Sequence, residues 1–216
     1  MAISHQEIDV VDPEVKATVY GYIHRFEREN ESIHIIPDML IFTCLQFYYI
    51  RECWDSYNAS RVSVTNVGHS ATKIEMRPAT IYGRYIVTIP SKYIYHWTFK
   101  VTKCMWKINW AIGIDSAANQ HQDTWFYCGK DGNYTFEASG DKFDGRRRIG
   151  NKLTEWNTGD EIDLFLNGIN QTISIRLNGN EEPQSMMKVK DGEYKVATYM
   201  YGGSDSIELV RFTISG

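Results

Sequence analysis

Gly159-Asp160-Glu161-Ile162-Asp163-Leu164-Phe165-Leu166-Asn167, then Gly168-Ile169-Asn170-Gln171, then Thr172-Ile173-Ser174-Ile175-Arg176-Leu177-Asn178-Gly179 is the stretch of this chain that decides the fold. Ile162, Leu164 and Leu166 fall on alternate positions, as do Ile173, Ile175 and Leu177, the period of strands that bury one face. Two such strands joined by a short polar loop make a β-hairpin. The loop Gly168 to Gln171 sets Asn167 opposite Thr172. Leu164 then faces Ile175, and Asp163 faces Arg176 as a predicted solvent-facing pair. Asn178-Gly179 reads as a tight turn behind the hairpin.

Working outward, the whole of residues 60–216 has this texture: short apolar runs of period two, bounded by Gly, Asn, Asp and Pro. That is the pattern of an antiparallel β-sandwich. Upstream the period changes. Val11, Val15, Val19, Tyr22, Ile23 and Phe26 fall at helical steps behind an Asp12-Pro13-Glu14 start signal. Met39 to Trp54 follows Pro37-Asp38 and is apolar nearly all round, so it is predicted as a buried helix completing a helical hairpin. Its β-branched and aromatic content leaves a strand over Ile35 to Ile50 as the alternative. Charge marks the same division. Residues 1–60 carry 4 Lys and Arg against 10 Asp and Glu, a net of −6 in a chain whose total is −4. The expected organisation is an acidic helical module at 1–59 and a sandwich at 60–216.

The bulk composition, 43% hydrophobic and 23% charged, is that of a globular protein. A net charge of −4 offers no electrostatic reason to expect nucleic acid or an anionic membrane as partner. The N-terminus has neither the basic nor the apolar region of a secretory signal, so a cytoplasmic protein is expected. The four sequons, at Asn30, Asn58, Asn133 and Asn170, are then without consequence. Cys44, Cys53, Cys104 and Cys128 lack metal-ligand spacing and are expected reduced. The six histidines are scattered, and no cofactor or metal is expected.

No nucleophile elbow, P-loop or His-Glu-x-x-His is present. Glu161 and Asp163 share a strand face, as paired glycosidase carboxylates would, but it is the face opposite Ile162, Leu164 and Leu166 and should meet solvent. Arg146-Arg147-Arg148 could clamp an acidic group; Asp141 and Asp144 beside it favour an ordinary solvated loop. Trp97 and Trp110 read as core residues. Trp106, in a turn between Met105 and Lys107, has no inward face, and Tyr201 ends a strand before Gly202-Gly203.

Four segments in order carry a family resemblance. Tyr95-His96-Trp97-Thr98-Phe99-Lys100-Val101, Trp110-Ala111-Ile112-Gly113-Ile114, the hairpin with its Leu177-Asn178-Gly179 end, and Tyr194 to Tyr201 with Ile207-Glu208-Leu209 together resemble the SPRY domain. Trp125 to Gly132 fits the family's aromatic segment only loosely, and residues 11–57 match no SPRY feature. The resemblance implies a mainly β, two-sheet antiparallel, concanavalin-like sandwich that binds a protein or peptide, without catalysis, through loops at one end. Carried over by position, it implies partner contacts at Arg77, Pro78 and Tyr82 in an early loop, at Trp106, and at Tyr199 and Tyr201 before the last strand. Two other functions fit the sequence: a fixed subunit of a larger complex docked through 39–54, or a lectin using exposed Trp.

Overall fold

The structure, a computed structural model, describes residues 52–55, 61–65, 68–75, 77–107, 110–119, 132–145 and 147–216. The predicted helices at 11–26 and 39–51, the segment Trp125 to Asp131, Arg146, Cys44 and Cys128 lie outside them. Glu52 to Trp54, the end of the second predicted helix, is not helical. Trp54 instead forms a β-bridge with Gly83.

The alternating sequence folds as it reads. The described residues form β1 (Val62–Thr65), β2 (Ser70–Lys73), β3 (Ala79–Ile89), β4 (Ile94–Lys103), β5 (Ala111–Ser116), β6 (Tyr134–Glu137), β7 (Lys142–Asp144) and β8 (Arg147–Arg148). The hairpin supplies β9 (Glu161–Asn167) and β10 (Thr172–Leu177), and then come β11 (Asn180–Glu181), β12 (Met187–Lys188), β13 (Gly192–Met200) and β14 (Ser206–Ser215). Two antiparallel sheets result. One runs β1-β2-β14-β4-β9-β10-β11 with β12 beside β10, and the other runs β3-β13-β5-β6-β7-β8.

Inner faces of the two sheets meet in one apolar core. Trp97, Phe99, Ile162, Leu164 and Ile175 from the larger sheet pack with Ile81, Ile112, Phe136 and Val196 from the smaller, all of them buried. Burying an apolar side chain of this size contributes about 1.5–3 kcal/mol, so the alternating residues supply most of the driving force. The hairpin register is the one the loop dictates: Leu164 lies opposite Ile175 and Asp163 opposite Arg176. Asn178 and Gly179 take φ of 51° and 76°, the two left-handed positions that such a turn requires and that glycine reaches without strain.

The expected Asp163–Arg176 contact does not form. Strand β9 is flanked by β4 as well as β10, and Asp163 turns to β4, accepting from Thr98 Oγ1 at 2.7 Å and lying 2.7 Å from His96 Nε2. Arg176 bonds Glu181 at 2.8 Å and lies over the Phe165 ring. Asp163 is therefore buried, and only Glu161 of the two carboxylates is exposed.

A second polar group enters the core from the chain's described start. Glu52 Oε1 accepts from the backbone N–H of Arg84 (2.6 Å), Tyr85 (2.9 Å) and Cys53 (3.2 Å), while Oε2 accepts from the Trp97 indole at 3.1 Å. Burial outweighs these four donors and pushes the Glu52 carboxyl up to about 7.

Candidate functional site

Antiparallel pairing fixes which loops share an end. Strands β2, β4 and β13 finish where β3, β5, β9 and β14 begin, so residues 74–75 and 77–78 and the segments 104–107, 154–160 and 201–205 gather at one end of the sandwich. Their sequences are turn formers between apolar strands, as at Gly202-Gly203-Ser204-Asp205.

One buried residue, through its carboxylate and its backbone carbonyl, ties three of these segments together. Asp205 Oδ1 accepts from Met105 N–H at 2.8 Å and Oδ2 from Gly202 N–H at 2.6 Å, while its carbonyl accepts from Lys73 N–H at 2.8 Å. Burial raises its pKa. The buried Lys73 amine, which reaches the Glu75 carbonyl, has its own pKa lowered by burial, with Asp205 the largest opposing charge. The fourth loop joins by Thr158 Oγ1, which accepts from Cys104 N–H at 2.9 Å, and by Glu155, which pairs with Lys107 at 2.9 Å. Residues 104 and 107 are thus held by the loop 154–160 and residue 105 by Asp205.

Trp106, between them, is 58% exposed. The edge of its indole lies over Gly202: a Cβ there would stand 2.8 Å from Trp106 Cδ1 and from the Asp205 carboxylate, a distance that side chains do not tolerate. Tyr201, the next residue back, is 38% exposed. Met105 and Ile74 are exposed at the same end, with Ser204 Oγ 3.4 Å from Met105 Sδ. The other exposed large hydrophobics of the described residues, Ile86, Ile169, Met186 and Val210, are dispersed. Such a cluster on a sandwich end is an apolar patch with a polar surround.

Of the positions anticipated, Trp106, Tyr201, Arg77 and Pro78 come together here; Arg77 is exposed and Pro78 half-buried beside Tyr201, one step beyond the Ala79–Met200 pair. Tyr82 and Tyr199 do not join them. Both are buried, with Ala111 and Ala197, on the face of the smaller sheet opposite the main core, and Tyr82 donates its hydroxyl to Asp115 at 3.0 Å. They lie inside strands β3 and β13, not in loops, so neither ring is available to a partner. The sequence pattern assigns no site role to Ile74, Met105, Gly202 or Asp205, although Gly-Gly-x-Asp directly after an aromatic strand end is a legible turn signal.

His96, Asp163 and Thr98 are the described residues nearest in type to a catalytic triad. Their geometry is different. Asp163 and Thr98 both approach the same His96 nitrogen, Nε2, at 2.7 and 3.3 Å, and Thr98 donates to the carboxylate itself. A triad needs the acid on one ring nitrogen and the nucleophile on the other. Arg148 is paired with Asp141 at 2.6 Å. Cys53 and Cys104 are half-buried thiols, and burial pushes that of Cys104 up to about 11.

Among solved structures, the fold is similar to that of SPRY domains. The SPRY domain of human HERC1 superposes with a TM-score of 0.57 at 18% identity, over 72% of this chain and 92% of that one. The TRIM65 PSpry domain does so at 0.58 and 7%, over 80% and 99%, and another human SPRY domain at 0.52 and 14%, over 72% and 95%. By sequence the chain matches no protein-family profile and no curated protein. The likeness is one of fold, and this chain carries a SPRY-like domain.

Proposed function

We propose that this protein is a non-enzymatic interaction module that binds a protein or peptide through the loop end centred on Trp106 and Tyr201. The observation that carries the reading is a tryptophan more than half exposed whose two chain neighbours, Met105 and Lys107, are each bonded to another loop. Large aromatics concentrate binding energy at interfaces, and one held in place before binding loses little freedom on association. SPRY-type neighbours of the same fold support the reading by analogy of architecture.

The test is capture of partners by the full chain and by Trp106→Ala and Tyr201→Ala. Each substitution is expected to weaken the captured interaction about tenfold or more, equal to about 1.4 kcal/mol, with the thermal midpoint unchanged. Undiminished capture by both variants would count against the site.

A further inference from the structure

We infer that this surface selects a peptide segment in which a large apolar side chain is flanked by Asp or Glu, an inference that rests on the binding reading above. The apolar half follows from Ile74, Met105, Trp106 and Tyr201, left exposed together where the loops converge. The acidic half follows from how charge is committed around them.

Acids at this end are occupied. Asp205 is buried, with both carboxylate oxygens taken by backbone N–H groups, and Glu155 serves two cations, Lys107 at 2.9 Å and Lys152 at 3.8 Å. Glu75 is the remaining exposed acid of these loops. Against it stand Arg77 and Lys103, both exposed and making no ion pair with any described residue, one at the head of β3 and the other at the end of β4. Four exposed or half-exposed cations, Arg77, Lys103, Lys107 and Lys152, therefore meet three such acids, Glu75, Glu155 and Asp160, the last of which already accepts from Asn157 N–H and Asn178 Nδ2. In a chain whose total charge is −4, the exposed loops beside the apolar cluster thus hold more cations than acids. A partner with like flanking charge is repelled and an acidic one drawn in, an effect expressed mainly in specificity and association rate. Arg77 adds a planar fork that matches a carboxylate with two parallel hydrogen bonds.

The experiment selects binders for the immobilised full chain from a random displayed-peptide library. Synthetic versions of those retained are then compared with counterparts carrying Asn and Gln in place of Asp and Glu. Acid-flanked apolar peptides are expected to dominate and to lose binding with Trp106→Ala. Their advantage over the amide counterparts should be roughly fivefold or more at low salt, as two exposed ion pairs give, and should vanish near ~0.5 M salt. The double variant Arg77→Glu, Lys103→Glu should reverse the preference towards Lys-flanked peptides. Trp106-dependent peptides without acidic bias, or acidic ones indifferent to that charge reversal, would overturn the inference and leave the site standing. Peptides indifferent to Trp106, or none retained, would overturn both.

Discussion

Glu52 shows how one side chain sets a pH dependence for the whole sandwich. Its carboxyl titrates near 7 when folded and near the ordinary 4.5 when unfolded, so between these values the folded state holds a proton that the unfolded state has released. Stability from this group is complete below pH 4.5 and declines as pH rises through 7, by at most about 3 kcal/mol. Chemical denaturation at pH 5 and pH 8 should show the native protein losing more stability than Glu52→Gln, whose side chain cannot ionise. Equal losses would mean that Glu52 is solvated. Gly202 is the other residue whose chemistry is dictated by its neighbours. Gly202→Ala should cost about 1–3 kcal/mol through crowding against Asp205 and Trp106, seen as a lower melting temperature, and should weaken partner binding by displacing the indole.

At the level of elements, the four loops behave as one unit because Asp205 holds three of them. Asp205→Ala should remove charge-assisted bonds to Met105 and Gly202 and leave buried Lys73 without its largest opposing charge, costing about 2–4 kcal/mol. Hydrogen exchange checks this: the Met105 and Gly202 amides should lose protection while those of the β9–β10 hairpin keep theirs. In that hairpin, Gly179→Val forces a β-branched residue to a φ of 76° and should lower stability by at least about 1 kcal/mol, measured by denaturant titration.

Seen across the whole molecule, what was legible in the sequence was what repeats locally. Alternation in 162–166 and 173–177 named the buried face, and the loop length between them named the register that the sheet keeps. Trp106 could be placed at the surface because a turn between Met105 and Lys107 offers it no inward side. Long-range packing was not legible. Tyr82 and Tyr199 are carried over by position from the loops of the resembled family, whereas strand pairing places both inside β3 and β13 in a buried cluster with Ala111 and Ala197. The hairpin alone pairs Asp163 with Arg176, whereas β4, from about 65 residues away, offers His96 and Thr98. Glu52 fell within an apolar run that reads as helix, and its donors arrive from residues 84, 85 and 97.

The bridge at Trp54 bears on where this chain can be cut. Trp54 is stacked on Phe99 of the larger sheet at 5.7 Å while its backbone pairs with Gly83 of the smaller, and its N–H reaches the Gly68 carbonyl at 2.7 Å. Asp55 N–H donates to Tyr82 and Arg84 N–H to Cys53, so the short run 52–55 is sewn to both layers. Excision at residue 60, where the charge changes sign, would strip this stitch from the sandwich. It would leave the Trp97 indole N–H without its acceptor and a void the size of a tryptophan against Phe99. A fragment beginning at 60 should therefore unfold at a lower denaturant concentration than one beginning shortly before Glu52, by the 3–5 kcal/mol that losing a buried Trp typically costs. The usable edge of the domain lies ahead of Glu52, within residues whose composition belongs to the acidic segment before it.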